Sequence, residues 1–225
     1  MWQKGNFMKV IAFNGSPRKK ANTAALLNKA LEGASSAGAS VEMVHLIDLK
    51  YKGCVSCFEC KRINGKSYGS CVLKDDLTAV LKKIREAGAI ILGTPIYLGR
   101  ETGLMANFIE RLVFPYLVYD AQRTSLFGKS INCGFIYTLG APEEMAVQAG
   151  YRVRFDTNDM LLSRILGSCE SMAAYDMYQF DDYSKYVSSA FSVEHKAKVR
   201  SVQFPIDCEK AFEMGKRLAA DKGKA

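Results

Sequence analysis

The hydrophobic positions of the chain follow two alternating spacings. A compact apolar run at 10–13 stops at Gly15 and Pro17, which predicts a buried strand followed by a sharp loop. From Asn22, a predicted N-cap, apolar residues return every three or four positions until Gly38, which predicts an amphipathic helix. The first part of the chain is therefore predicted to form one strand–helix unit.

The same two spacings recur along the rest of the chain. Further strands are predicted at 40–49, 89–93, 131–139 and 172–180. Helices are predicted from Asp75 or Asp76 to Gly88, over 104–113, 142–149 and 157–166, and from Asp207 to the end of the chain. This alternation predicts a doubly wound, three-layer α/β sandwich on a five-stranded parallel sheet of order 2-1-3-4-5. We expect a single domain over 1–225, with a disordered extension at 1–7 and a cysteine-rich insertion at 49–74.

The loop after the first strand, NGSPRKKANT, has the composition of an anion site. A helix N-terminus offers free backbone N–H groups and a positive dipole end, and nearby hydroxyls and an arginine add donors. The loop matches neither the Walker A nor the G-x-G-x-x-G pattern. An ordinary turn with a helix cap would explain the same residues, but the position at the first strand–helix turn favours phosphate. The candidate residues are Ser16, Arg18, Asn22 and Thr23.

Two further loops are predicted at the same edge of the sheet. The first and third strands are neighbours in the expected order, so the loop GTPIYLGRETG would face the same crevice as the first loop. Its apolar surface, single aromatic ring and backbone amides suit the edge of a flat heterocycle, although a turn with a core tyrosine is the alternative. The candidate residues here are Thr94, Pro95, Ile96, Tyr97, Leu98 and Gly99. The loop after the fourth strand adds Thr138 and Gly140.

The formal net charge of +8 does not by itself indicate a nucleic-acid partner. The basic residues, Lys196 among them, are scattered, and no motif of a nucleic-acid-binding module accompanies them. We interpret them as a solvated basic surface that attracts phosphate-bearing small molecules, and we expect no nucleic acid to bind. No apolar run is long enough to cross a membrane, and the first residues do not form a secretory signal. A cytoplasmic location, without membrane association, is expected.

Four of the seven cysteines fall in one short stretch, CVSCFECKRINGKSYGSC. Cys54, Cys57 and Cys60 are spaced by two residues, and ten residues separate Cys60 from Cys71. Such spacing lets successive thiolates bind neighbouring irons of a cuboidal cluster. Structural or redox-active thiols are a second interpretation, and zinc, which usually takes two separate cysteine pairs, is a third. The remaining cysteines are predicted to be small core residues: Cys133, Cys169 and Cys208.

These motifs together resemble the NADPH-dependent FMN reductase family of flavodoxin-like proteins. The resemblance rests on IAFNGSPRKKANT, GTPIYLG and CVSCFECK…CVLKDDL, and it runs from about residue 8 to 186. The cysteine spacing and the stretch YQFDDYSKY at 178–186 look most like its iron–sulfur flavoprotein branch. The gap before Cys71 departs from that branch, whose motif is more compact. Because extra loop length costs little entropy, a cluster remains compatible with the longer gap.

The resemblance implies a flavodoxin-like fold that binds FMN, with the phosphate in the 16–23 loop and the ring against 94–99. It also implies NAD(P)H as co-substrate, small-molecule redox substrates and a homodimer or tetramer. FMN accepts two electrons as hydride and can release them singly, which suits it to work beside an iron–sulfur centre. No catalytic acid or base is predicted, since hydride transfer to flavin requires none. The cysteines that would bind a [4Fe–4S] cluster are Cys54, Cys57, Cys60 and Cys71.

The leading hypothesis is an FMN-dependent oxidoreductase. It would pass electrons from NAD(P)H or ferredoxin to a quinone, a flavin or another redox acceptor, through the cluster where one assembles. The alternative is a non-enzymatic electron carrier that holds the same groups but does not oxidise nicotinamide. A third hypothesis is a phosphate-binding α/β protein without flavin.

Overall fold

The structure is a computed structural model that describes residues 7–220. The extension expected at 1–7 lies outside this part, apart from Phe7. The strands are β1 (Lys9–Asn14), β2 (Ser40–His45), β3 (Ala89–Tyr97), β4 (Arg100–Glu101), β5 (Ile131–Thr138) and β6 (Gly167–Ala174). The helices are α1 (Asn22–Ser36), α2 (Leu77–Glu86), α3 (Gly103–Val113), α4 (Glu143–Gln148), α5 (Tyr151–Leu166), α6 (Val193–Lys198) and α7 (Phe204–Ala220).

The five long strands form a parallel sheet in the order β2-β1-β3-β5-β6. Counted without the short β4, which pairs antiparallel with the end of β3, this is the predicted flavodoxin-like order 2-1-3-4-5, and the prediction is confirmed. The central strands are buried on both faces, as continuous apolar runs in parallel sheets require. The loops that follow β1 and β3 therefore leave the sheet side by side.

Two apolar cores cover the two faces of the sheet. Successive side chains of a strand point to opposite faces. Val10 and Ala12 of β1 accordingly pack in one core with residues of α1 and α7. Ile11 and Phe13 pack in the other core with residues of α2, α3 and α5. The three-layer arrangement thus follows directly from the pattern of β1.

Helices α1 and α7 meet backbone to backbone. A Cβ atom added to Gly33 would lie 1.9 Å from the carbonyl oxygen of Phe212, and one added to Gly215 would lie 1.7 Å from that of Ala30. Only glycine allows such an approach, because any side chain would occupy the space of the other helix. The contact holds α1, whose first turn borders the crevice described below, tightly against the rest of the fold.

The three isolated cysteines occupy positions close to those predicted. Cys133 is fully buried in β5, while Cys169 and Cys208 are half-buried and pack against the two cores. Cys133 and Cys169 are paired in register on adjacent strands. Their role as small packing residues is confirmed.

Several predicted boundaries were wrong where burial is incomplete. The strand predicted at 172–180 lies at 167–174, because β6 is an edge strand that begins with two exposed residues and is only partly buried up to Ala174. Helix α5 begins at Tyr151 instead of 157, since its first turns are amphipathic but expose Val153. The strand predicted at 40–49 ends at His45, where the chain turns through a single helical turn. Helix α6 was not predicted, and α7 begins at Phe204 rather than near Asp207.

No helix within residues 7–220 is both long enough and apolar enough to span a bilayer.

Candidate functional site

The loop between β1 and α1 is shaped by its own polar side chains. The backbone N–H of Ser16 donates to Asn14 Oδ1 (2.9 Å), and the backbone N–H of Arg18 donates to Ser16 Oγ (3.1 Å). Asn14 in turn contacts His45 Nδ1 through its side-chain nitrogen (3.1 Å). The Ser16 side chain is buried. Its hydroxyl accepts the hydrogen bond from the backbone N–H of Arg18, and this bond fixes the conformation of the loop that leads to α1.

The first turn of α1 has no side-chain cap. Ala21 occupies the N-cap position, so the predicted cap at Asn22 was wrong by one residue. The side chain of Asn22 donates instead to the carbonyl oxygen of Tyr178 (2.8 Å). Ser, Thr, Asp or Asn would normally satisfy one of the free N–H groups at this end. With alanine there, the positive end of the helix keeps its donors for an anion.

A cavity of about 420 Å³ opens where the carboxyl ends of β1, β3 and β5 meet. This volume falls within the range of about 300–1,000 Å³ that small-molecule sites occupy. It adjoins a second, wider cavity of about 920 Å³ that follows the other side of the 17–22 loop and shares Arg18 and Asn22 with it. The predicted site residues that line the first cavity are Arg18, Asn22, Pro95, Ile96, Tyr97, Thr138 and Gly140.

The remaining predicted site residues lie outside the cavity wall. Thr23 is buried beneath it, where its hydroxyl shares a hydrogen bond with that of Thr138 (2.8 Å). Thr94 is also buried, and its hydroxyl accepts from the backbone N–H of Thr102 (3.2 Å) and donates to the carbonyl of Pro95 (3.0 Å). Both threonines support the loops whose neighbouring residues face the cavity.

A tight hairpin joins β3 to β4 at the rim of the cavity. Leu98 (φ 51°) and Gly99 (φ 82°) both adopt left-handed backbone conformations, as a two-residue turn of this kind requires. Leucine rarely occupies this region, and here its side chain is 99% exposed. Neither residue lines the cavity in this structure, so their predicted contact with a ring stays a prediction.

The wall opposite these loops comes from the segment 175–186, which was predicted as strand as far as residue 180. Residues 175–186 follow β6 as irregular backbone with one helical turn at Tyr183–Lys185. Arg18 Nη1 donates to the carbonyl oxygen of Gln179 (2.7 Å), which joins this segment to the first loop. The rings of Phe180 and Tyr186 stack with centroids 4.0 Å apart. The density of aromatic residues in YQFDDYSKY was the sequence signal for a wall rather than a strand.

A buried lysine that sequence reasoning assigned to the solvated surface ties two rims of the cavity together. Lys196 of α6 is 1% exposed, and its Nζ donates to the carbonyl oxygen of Gly140 (2.7 Å) and to Asp176 Oδ1 (2.5 Å). The other carboxylate oxygen of Asp176 contacts His195 Nδ1 (2.5 Å). The interpretation of Lys196 as a surface charge was wrong, because its partners come from loops far away along the chain.

The cysteine segment packs on the C-terminal half of α3. The backbone N–H of Cys54 donates to Glu110 Oε2 (2.9 Å). Lys61 Nζ donates to the carbonyl oxygens of Phe114, Pro115 and Leu117 in the turn that follows α3. Except for a helical turn at Glu59–Lys61, the residues at 49–74 form no α-helix or strand. The segment is thus anchored by side chains rather than by backbone pairing.

All four clustered cysteines line one cavity on this segment. Cys60 is buried, Cys54 and Cys71 are half-buried and Cys57 is exposed. Ser56 (φ 52°) and Phe58 (φ 56°) adopt left-handed backbone between the cysteines, a costly conformation that is concentrated at functional sites. The structure therefore brings together the four thiols that are distributed over the motif.

The thiols surround a volume rather than converge on a point. Within residues 7–220, no three Cys, His, Asp or Glu side chains are placed to hold a single metal ion. A cuboidal cluster takes one thiolate at each of four irons, so its ligands need not meet. The space between the thiols is only about 20 Å³, roughly the room of one water molecule, so side chains must move outward to admit a cluster. The exposed residues of this cavity include Cys57, Val55 and Phe58. Their side chains can move outward because they border solvent.

A buried cation, Arg111 of α3, lies in the wall of the same cavity. Burial lowers the pKa of the Arg111 guanidinium, but the Asp75 carboxylate and the neighbouring Cys71 sulfur raise the pKa by more, so it stays above its ordinary value. Burial also raises the pKa of Asp75, yet the bonds from Arg111 and the backbone hold the pKa of this carboxyl below its usual range. Both groups are therefore charged beside the thiols.

The curated relatives that the chain matches are iron–sulfur flavoproteins. One from Archaeoglobus fulgidus is 42% identical over 127 residues, which is 56% of this chain and 60% of the relative. Another, from Methanocaldococcus jannaschii, is 36% identical over 104 residues, which is 46% of this chain and 51% of the relative. The matched region thus spans about half to three-fifths of these relatives' own length.

Solved structures share the fold over nearly the whole chain. An NAD(P)H:quinone oxidoreductase from Methanothermobacter marburgensis superposes with a TM-score of 0.69 at 18% identity, covering 94% of this chain and 99% of that one. At such identity the similarity shows the fold alone. The sequence model of the family described as NADPH-dependent FMN reductase matches residues 8–175 of this chain. The match covers β1 through β6 and every loop of the first cavity except the wall after β6, and the chain therefore belongs to the NADPH-dependent FMN reductase family.

Proposed function

We propose that the chain is an FMN-dependent oxidoreductase with FMN bound in the cavity between the loops after β1, β3 and β5. The observation that carries this proposal is the uncapped first turn of α1, which borders that cavity and keeps free donors for a phosphate. The flat rim of Pro95, Ile96 and Tyr97 lies across the cavity from this turn and suits the edge of the ring. Family membership supports the same cofactor.

FMN, when bound, would supply hydride acceptance and single-electron release. The chain's own residues would bind and orient it. Arg18 and the α1 turn would hold the phosphate, and Thr138 and Gly140 would border the ring on the side of β5. Lys196 would keep the loop at Gly140 in place, since its ammonium bonds that carbonyl. No acid or base need act, so the site requires shape and donors rather than a proton relay.

We propose NAD(P)H as the electron donor, with ferredoxin as an alternative donor, and a quinone, a flavin or another small redox molecule as acceptor. The family description names NADPH, and one structural neighbour is an NAD(P)H:quinone oxidoreductase. The wider cavity beside the proposed flavin site is lined by four cations, Arg18, Lys19, Lys20 and Arg200, and by two carboxylates, Asp181 and Asp182. This excess of positive charge would attract an anionic nicotinamide donor.

We further propose that Cys54, Cys57, Cys60 and Cys71 bind a [4Fe–4S] cluster. Their shared cavity, the left-handed residues between them and the names of the curated relatives support this ligand set. The backbone N–H groups of residues 55–58 enter none of the hydrogen bonds found within residues 7–220, which leaves them for sulfur acceptors. Such a cluster would supply one-electron transfer.

The first experiment is a visible spectrum of protein purified without oxygen, together with iron and sulfide analysis. Flavin bands with a broad absorbance that dithionite bleaches, and about four irons per chain, are expected for a cuboidal cluster. Flavin bands without iron would leave an FMN reductase with four thiols. A colourless protein that also refuses added FMN would refute the main proposal in favour of a phosphate-binding protein.

A paired substitution tests the position of the phosphate. The double variant Ser16→Ala, Arg18→Ala should weaken FMN binding by about 2 kcal/mol or more, because a charge-assisted bond and the hydroxyl that shapes the loop are lost. Lys216→Ala is the control, since it removes one charge from an exposed position on α7. Fluorescence titration of the apoprotein with FMN measures both, and equal affinities in the double variant and wild type would place the phosphate elsewhere.

The alternative function is an electron carrier that does not oxidise nicotinamide. Steady-state NADPH oxidation with a quinone separates the two: sustained turnover refutes the carrier, and its absence with both groups bound refutes the reductase.

We also propose that the chain forms a homodimer through the groove beside the cysteine segment. This groove of about 370 Å³ is lined largely by apolar residues of α3 and α5, including Ile109, Val113 and Leu161. Exposed Val153 and Met160 of α5 add apolar surface to that helix. Light scattering on the eluting protein should give twice the chain mass, and Leu161→Lys should yield monomers.

A further inference from the structure

Arg111 is the largest fully buried side chain within residues 7–220, and it lies behind the cysteine segment. It is 1% exposed and forms part of the wall of the four-thiol cavity. Removing a guanidinium from water costs several kcal/mol unless its donors are satisfied. The positions of these donors therefore indicate what the residue does.

Two of the nitrogens of Arg111 hold the two ends of the segment. Nη1 donates to the carbonyl oxygen of Lys52 (2.9 Å) and to Asp75 Oδ2 (2.8 Å), and Nη2 donates to Asp75 Oδ1 (3.2 Å). Lys52 precedes Cys54 by two residues, and Asp75 follows Cys71 by four. One guanidinium on α3 thus fixes the entry and the exit of the cysteine segment.

The third nitrogen of Arg111 has no acceptor within residues 7–220. Nε of Arg111 is buried and has no hydrogen-bond partner among the described residues. Leaving such a buried donor unpaired destabilises the folded chain, because the donor has lost its bonds to water. Arg111 and Cys71 line two cavities together, which places a sulfur beside this side chain. A buried donor without a partner, next to a thiol, is the expected geometry of a site that still lacks its sulfur acceptor.

We propose that Arg111 is the positioning residue of the four-thiol site: it fixes both ends of the segment through Lys52 and Asp75, and its Nε–H donates to sulfur of the group that the thiols bind. The inference rests on the proposed cluster and deepens it. Hydrogen bonds to sulfur and a buried cation both stabilise the more negative, reduced state, so Arg111 raises the reduction potential of the site.

The test compares three variants in the full chain. Arg111→Gln removes the positive charge and the two parallel hydrogen bonds from the guanidinium to Asp75. Arg111→Lys keeps the charge but cannot form two parallel bonds to Asp75, and it serves if the first variant folds poorly. Arg85→Gln is the matched control, because Arg85 borders a cavity with Cys71 but is exposed. Amide hydrogen exchange of the apoprotein and the midpoint potential after reconstitution with iron and sulfide are measured for each.

In the apoprotein, Arg111→Gln and Arg111→Lys should both exchange the amides of residues 52–75 at least tenfold faster than wild type, with the sheet amides unchanged. In the reconstituted protein, Arg111→Gln should have a more negative midpoint potential, Arg111→Lys a smaller shift, and Arg85→Gln neither change. If Arg111 were only a structural residue, the midpoint potential of Arg111→Gln would equal that of Arg85→Gln.

The outcomes separate the two proposals. A wild-type chain that takes up no iron overturns the proposed cluster. Unchanged exchange in both Arg111 variants overturns the positioning role whether or not iron is present. A potential in Arg111→Gln equal to that of the control overturns the donation to sulfur.

Discussion

Replacing Gly215 by alanine should separate helices α1 and α7. The new Cβ would lie 1.7 Å from the carbonyl oxygen of Ala30 and 2.6 Å from its carbonyl carbon, whereas real Cβ atoms essentially never come closer than 3.0 Å. The obstacle is helix backbone, which cannot rotate away as a side chain can. The two helices must therefore move apart by about 1 Å, and the core between them and the sheet must loosen.

The size of the effect follows from two opposing terms. Overpacking typically costs about 1–3 kcal/mol, and a rigid backbone obstacle places this case at the upper end or beyond. Alanine returns at most about 1 kcal/mol through its better helix propensity. A net loss of about 2 kcal/mol or more is expected. For a chain of this length it corresponds to a fall in Tm of about 4–8 °C.

Urea unfolding of the apoprotein, followed by circular dichroism, measures this loss without interference from cofactor binding. Gly103→Ala is the control, since Gly103 is also helical and an added Cβ there meets nothing within 4 Å. The control should leave the free energy of unfolding unchanged or raise it by up to about 1 kcal/mol. If Gly215→Ala were as stable as Gly103→Ala, the close approach of α1 and α7 described above would be refuted.

Three further predictions concern buried polar groups. Lys196→Met leaves His195 as the one ionic partner of the Asp176 carboxylate among residues 7–220. The free energy of unfolding in urea should fall by about 3 kcal/mol, near the lower end for broken buried pairs, and a stability equal to wild type would contradict the buried pair. Thr138→Val leaves the buried hydroxyl of Thr23 without its hydrogen-bond partner and should lower the free energy of unfolding by about 1–3 kcal/mol. The double variant Thr23→Val, Thr138→Val should lose less stability than the sum of the two single variants, and additive losses would exclude the hydrogen bond. Burial raises the pKa of Asp207, whose Oδ2 has no hydrogen-bond partner among residues 7–220. Because its folded pKa lies above the unfolded value, the stability of the wild type should fall as the pH rises through the interval between the two pKa values. Asp207→Asn should lack this fall, and parallel pH–stability curves for the two proteins would contradict the prediction.

The sequence by itself determined the alternation of the five long strands with all helices except α6, the strand order of the sheet and the loop that follows β1. These features depend on local patterns: apolar runs, helical spacing, glycine and proline at the turns. Burial on both faces makes central strands such as β1 and β5 conspicuous, so they were predicted nearly to the residue. The edge strand β6, most of which is only partly buried, has a weaker apolar pattern, and its start was predicted five residues too late.

Only the tertiary structure decided which polar side chains pair. Lys196 resembles any surface lysine in the sequence, yet it is buried against Asp176 and Gly140, which come from other loops. Arg111 follows another charged residue, Glu110, on a helix, and its partners Lys52 and Asp75 lie far away along the chain. A hydrophobic pattern reports whether a position is buried but not which distant group it meets, because that contact depends on how whole elements pack against one another.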